Sequence, residues 1–214
     1  MTGVQTCALP ICFFSLLIFH GLLRRTSLLV AWVLYLSYVS IGQDFFFFQW
    51  DLLLLEAGFL AMFLGWSRSI DWLFRWLLFR LMFLSGVVKL LSGDAVWRNL
   101  SALEFHYQTQ PLPTPIAWYA HQLPEWFHHL SAGVMLGIEA FIPFLIFAPR
   151  RLRLFAIGPL AGLQILILLS GNYAFFNWLA LALCLFLLED RDLRFIALPK
   201  RVPRMGRRAA VAVS

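Results

Sequence analysis

The chain has 214 residues, of which 61% are hydrophobic and 13% charged, and a mean hydropathy of +0.79; a soluble domain of this size could not hide so much apolar surface. Net charge is +6, from 17 Lys+Arg against 11 Asp+Glu, but the basic residues cluster at the ends of apolar runs, which marks membrane topology and points away from nucleic acid as a partner. The three cysteines, Cys7, Cys12 and Cys184, form no CxxC and no metal-type spacing with histidine, so no thiol redox site is expected within the chain.

The first eleven residues, MTGVQTCALPI, resemble the translation of a sequencing-library adapter and are read as foreign to the protein. A signal peptide fits them poorly, because no basic residue precedes Arg24. A spanning helix needs roughly 20 mostly apolar residues. On that rule the membrane domain covers about 12–190. It has a partial apolar segment at about 12–23, then spans at about 28–46, 49–66, 72–91, 130–148, 153–170 and 173–189. The boundary between the second and third segments is expected near 43–51, within the run of phenylalanines Phe45–Phe48. Leu52–Leu55 would suit a buried strand by periodicity, but a lone strand in lipid leaves its backbone unpaired, so helix is expected. Pro143 and Pro159 are expected to kink their helices.

Arginines set the orientation. Arg24 and Arg25, then Arg68, then Arg150, Arg151 and Arg153, then the basic tail of 191–214, fall on one side if each segment crosses once. The positive-inside bias makes that side cytoplasmic. The polar stretch 92–129 then faces outward, with Arg98 its only Lys or Arg. Trp50, Trp97, Trp118 and Trp126 are expected at the outer interface, and Trp66 and Trp72 at the inner one.

Charged residues within the spans need partners. A central Arg costs roughly 2.5–3.5 kcal/mol on insertion scales. Arg80 is central, and rise per residue puts Glu56 and Glu139 at comparable depth. Asp51 and Lys89 share the outer interface, and Arg75 and Lys89 are near enough to opposite helix ends to snorkel. Two pairs are expected: Arg80 with Glu56 or Glu139, and Lys89 with Asp51. They either fix helix register or form a functional relay.

The outer stretch is expected to be a structured cap. Ser92-Gly93-Asp94 stops a helix, and Ala95–Tyr107 suits a short helix with Asp94 as N-cap. Pro111, Pro113 and Pro115 favour an extended path. Ile116–Gln122 and Glu125–His129 suit short interfacial helices that rest Trp118, Tyr119, Trp126 and Phe127 among the headgroups. Four readings of this cap compete. His106, His121, His128, His129, Glu104 and Glu125 could hold a metal, but their spacing matches no strong motif, and no metal is expected. Lys89, His106 and Glu104 could work as acid and base in a membrane enzyme, though neither a nucleophile elbow nor a phosphate loop accompanies them. The cap could recognise a protein or lipid through Trp97, Arg98, His106, Tyr107, Gln110, Pro111, Trp118 and His121, or it could only anchor the chain at the interface.

Three segments in order carry a family resemblance: QWDLLLLEAGFLA at Gln49–Ala61, FRLMFLSGVVKLLSGDAVWRNLSALEFHYQTQPLPTPIAWY at Phe79–Tyr119, and SGNYAFFNWLA at Ser170–Ala180. The chain resembles the lipase maturation factor family from about residue 44 to 190. That resemblance implies a multi-pass membrane protein, in the endoplasmic reticulum of animals or the inner membrane of bacteria, that assists folding and assembly of secreted lipases or other exported clients. It implies no catalytic residue and no cofactor. Family members continue into a further span and a large non-cytoplasmic domain, so the chain is expected to be a fragment. The expected architecture is all-α: a polytopic transmembrane bundle with short interfacial helices in one long outer loop, in contact with the lipid bilayer. The alternative is an integral membrane enzyme acting on a lipid-soluble substrate at the outer interface.

Overall fold

The computed structural model of the chain describes residues 2–42, 46, 48–110, 112–189 and 191–193. Ten α-helices follow one another: α1 (Thr2–Phe19), α2 (Arg24–Gly42), α3 (Gln49–Met62), α4 (Arg68–Leu91), α5 (Ala95–Arg98), α6 (Ala102–Thr109), α7 (Pro115–His121), α8 (Glu125–Phe141), α9 (Arg150–Ser170) and α10 (Phe176–Cys184). Short 3-10 helices extend α8 over Ile142–Phe147 and α10 over Leu185–Leu187. No strand occurs among the described residues. The fold is an all-α membrane bundle.

Helix α4 is its axis. Phe74, Leu77, Leu78, Leu81, Met82 and Gly86 recur at three- and four-residue intervals and form one buried stripe. Against it pack Leu53 and Ala57 of α3, Leu160 and Leu163 of α9, and Ala180 and Leu183 of α10. Gly86 lets α8 approach closely, because a Cβ there would lie 3.0 Å from the Glu139 Cβ and 3.2 Å from its carbonyl carbon. Helices α1 and α2 pack mainly on each other and reach the rest through α3.

Among the described residues, three segments are long and apolar enough to cross a membrane: Arg24–Gly42, Glu125–Phe147 and Arg150–Ser170. Helix α4 has the length, with 24 residues, but carries Arg68, Asp71, Arg75, Arg80 and Lys89. Helices α3 and α10 are shorter than the spans expected there, at 14 and 9 residues. Helix α10 starts at Phe176 rather than near 173. An Asx turn in which Asn172 Oδ1 accepts from the Ala174 N–H at 3.3 Å, with Ala174 at φ +49°, occupies the preceding residues.

Several sequence expectations are corrected. Glu125–His129 is no separate interfacial helix; it is the first turn and more of α8, because Pro124 is the N-cap and no breaker separates His129 from Leu130. Ala95–Tyr107 is two helices, broken at 99–101 where Leu100 takes φ +60°, although Asp94 does cap α5 by accepting from the Val96 N–H at 3.1 Å. Pro143 coincides with the change from α8 to a 3-10 helix, whereas Pro159 sits inside α9 without ending it. The boundary expected at 43–51 lies partly outside the described residues, as do Pro111 and most of the basic tail.

The basic helix ends gather at one end of the bundle. The Arg25 guanidinium lies 5.2 Å from the Trp66 ring, beside the start of α4. Arg75 Nε donates to the Phe186 carbonyl at 2.9 Å, and Arg153 Nε to the Leu187 carbonyl at 3.0 Å. Arg153 also pairs with Glu189, and Arg150 with Asp192. Neither Arg75 nor Arg153 snorkels. Both are buried and satisfy carbonyls orphaned at the end of the 185–187 turn.

Candidate functional site

At the opposite end, residues 92–110 and 112–124 fold back as a cap over the ends of α4, α8 and α9. Four contacts pin it. The Thr114 hydroxyl donates to the Leu169 carbonyl at 2.7 Å while accepting from the Ala117 N–H at 3.2 Å, so one side chain both starts α7 and ties it to α9. Gln110 Nε2 donates to the Ser170 carbonyl at 3.0 Å. The His106 ring lies 3.3 Å from the Tyr173 hydroxyl. The Lys89 ammonium lies 5.3 Å from the centre of the Trp97 ring. Gly171 keeps this joint tight: a Cβ there would stand 2.6 Å from the Tyr173 ring and 3.1 Å from Gln110 Oε1.

Two expected charge pairs resolve differently. Arg80 pairs with Glu56, across α3 and α4. Lys89 does not pair with Asp51. Its ammonium lies 2.6 Å from both Glu139 carboxylate oxygens, and Glu139 also accepts from the Ser85 hydroxyl at 3.3 Å. Asp51 is buried against α2 instead, with Oδ1 accepting from the Tyr35 hydroxyl at 2.5 Å. The Lys89–Glu139 pair is mostly withdrawn from the surface (21% and 5% exposed), whereas Arg80 and Glu56 are 41% and 45% exposed in a cleft lined by Leu52, Leu53, Leu77 and Leu81.

The cap histidines do not converge on one centre. His106 faces Tyr173. His121 Nε2 is 3.2 Å from Gln108 Nε2. His128 is buried beside the Tyr107 ring, with ring centres 5.8 Å apart. His129 meets Glu104 and Glu125. The six-residue metal cluster considered from sequence therefore does not assemble as a whole. Arg98 is exposed, Trp97 and Tyr107 are half-buried, and Gln110 is buried. Leu112, Ile116, Trp118 and Tyr119 are exposed on the cap, and Trp126 is exposed in the first turn of α8. Sequence reasoning passed over Thr114, Gly171 and Tyr173; the Pro-Thr-Pro run was a usable signal for Thr114, since Thr before Pro at a helix start is an N-cap pattern.

Burial, and then the nearby Lys89 charge, hold the His106 imidazole below the ordinary histidine range. The folded protein thus takes up this proton less readily than the unfolded chain. The stability of the docked neutral ring is complete above the ordinary value of about 6.5 and is lost as pH falls toward the lowered value. Thermal unfolding should fall more between about pH 8 and about pH 5 in the parent than in His106→Gln. Equal acid sensitivity of the two would remove His106 from the cap's docking.

Residues 3–195 match the family described as the lipase maturation factor transmembrane domain, a match that includes part of the adapter-like segment. The chain is 46% identical over 213 residues to lipase maturation factor 2 of Xenopus tropicalis, covering 92% of this chain and 30% of the relative. It is 48% identical over 187 residues to lipase maturation factor 2 of Homo sapiens, covering 77% of this chain and 26% of the relative. To lipase maturation factor 1 of Mus musculus it is 37% identical over 196 residues, 85% of this chain and 34% of the relative. The chain thus spans about 30% of the length of the first of these relatives. No solved structure matches.

Proposed function

The chain belongs to the lipase maturation factor family, and from that premise we propose that it assists the folding or assembly of exported lipases or other secreted clients. The supporting observation is the cap. It is tied to the bundle by Thr114, Gln110, His106 and Lys89, yet leaves Trp118 and Tyr119 exposed, as is Trp126 in the first turn of α8. Aromatic side chains fixed on a rigid base make an adhesive surface for partly folded protein or for headgroups. The basic end faces the cytoplasm and the cap faces the lumen of the endoplasmic reticulum, or the periplasmic side of an inner membrane in a bacterium. All six helices α2, α3, α4, α8, α9 and α10 cross the bilayer in this reading, with α1 as the partial segment.

The enzyme alternative rests on the approach of Lys89, His106 and Tyr173 at the cap joint. It is disfavoured by the double engagement of the Lys89 ammonium with Glu139, which leaves it neither a free nucleophile nor a free base. The test is secretion of active lipase from cells lacking the full-length gene, complemented with variants. Complementation should survive Lys89→Met/Glu139→Leu and His106→Gln, and should fall several-fold with Trp118→Ser/Trp126→Ser, at equal protein level. Loss with the first group and survival of the second would replace the client reading with chemistry.

A further inference from the structure

Helix α6 and the first turns of α8 meet through three side chains that neither the cap contacts nor the client reading uses. Glu125 and His129 are four residues apart and share one face of α8. Glu104, in the first turn of α6, comes to them across the cap. His129 Nε2 lies 3.3 Å from Glu104 Oε1 and 3.8 Å from Glu125 Oε1, and the three donor atoms all fall within 4.8 Å of one another. We propose that Glu104, Glu125 and His129 bind a divalent zinc ion that clasps the cap to α8.

Charge and hydrogen bonding both favour this. Two carboxylates brought this close repel, and a neutral imidazole has only one N–H to set between them. The Glu104 Oε1 atom is out of reach of solvent and accepts no hydrogen bond, with His129 Nε2 3.3 Å away. Zinc–oxygen and zinc–nitrogen bonds of roughly 2.0–2.2 Å give tetrahedral edges of about 3.3–3.6 Å, which matches the Glu104–His129 separation. Glu125 stands farther off, 3.8 Å from His129 Nε2 with all three donor atoms within 4.8 Å, and its exposed side chain can close the remaining gap. One imidazole with two carboxylates suits zinc better than calcium, which takes six to eight oxygens. Water completes the fourth position on the solvent side.

The experiment uses the full chain purified in detergent or nanodiscs, stripped with chelator, in a Cys7→Ser/Cys12→Ser background, so that neither Cys7 nor the exposed Cys12 thiol competes for the metal. Calorimetric titration with zinc chloride should show one ion per chain, with Kd well below about 100 µM, and zinc should raise Tm. Glu104→Gln and His129→Gln should each weaken binding by at least about tenfold and abolish the Tm response. His121→Gln should leave both intact. His129→Lys separates the clasp from a plain ion pair: it should keep a folded cap yet lose the zinc response. Cobalt in the parent should give tetrahedral ligand-field bands without a thiolate charge-transfer band. Absence of saturable zinc binding, binding unchanged by His129→Gln, or a thiolate band with cobalt would each overturn the proposal.

Discussion

Replacing Glu139 by Leu should lower the stability of the purified chain by about 3 kcal/mol, measured as the shift in reversible unfolding in mixed micelles. Glu139 is buried on α8, and both of its oxygens hold the Lys89 ammonium at 2.6 Å. Removing it leaves a lysine with its stem packed and its charge unpaired. The expected loss sits at the lower end of the 3–5 kcal/mol range for broken buried pairs. Lys89 is two residues from the end of α4 and can swing part of the way out. The double variant Lys89→Met/Glu139→Leu should recover most of the loss, because a packed apolar pair in this position needs no solvation. Gly86 sharpens the expectation: the helices touch backbone to backbone beside the pair, so they cannot part to admit water cheaply. If Glu139→Leu unfolds like the parent, the pair contributes nothing to holding α4 against α8.

Arg153→Met should cost about 2 kcal/mol and expose the end of α10 to protease. Arg153 is buried, donates to the Leu187 carbonyl at 3.0 Å and pairs with Glu189. Met keeps much of the apolar stem but has no donor. Leu187 is fully buried, so its carbonyl would lose its partner where water cannot replace it. Glu189 would fare better, since Arg191 also reaches it at 2.8 Å. Relief of repulsion between Arg153 and Arg75 offsets part of the loss. Cleavage after residues 188–193 should accelerate in Arg153→Met relative to Arg151→Met, whose side chain is exposed. Identical cleavage of the two would mean that Arg153 serves only as a topology charge.

Much of the fold was legible in the sequence because the bilayer imposes it. Apolar runs have to be helices, and arginines have to collect at one end. The cap was legible for the converse reason: a polar stretch with three alternating prolines cannot sit in lipid. What could not be read was azimuth. Rise per residue puts Glu56 and Glu139 at one depth and Asp51 and Lys89 at another, but depth does not tell which helix stands beside which. Asp51 turned to Tyr35 on α2, and Lys89 to Glu139 on α8. The same blindness hid the roles of Arg75 and Arg153, whose partners are backbone carbonyls that appear only when the end of α10 arrives between them. Glu104 and His129 belong to helices whose packing angle no local pattern encodes.

Arg80 and Glu56 stand near the middle of α4 and α3 and remain roughly half uncovered. Acyl chains cannot solvate such a couple, so headgroups and water must bend inward to reach it. With α3 and α4 across the bilayer, the membrane would be drawn thin on that flank, while the aromatic flank around Trp76, Phe79, Phe144 and Phe147 would keep its full hydrocarbon depth. The lipid around the protein would then be asymmetric, and a neighbour whose own surface is too short for the bilayer would settle preferentially against the thinned side.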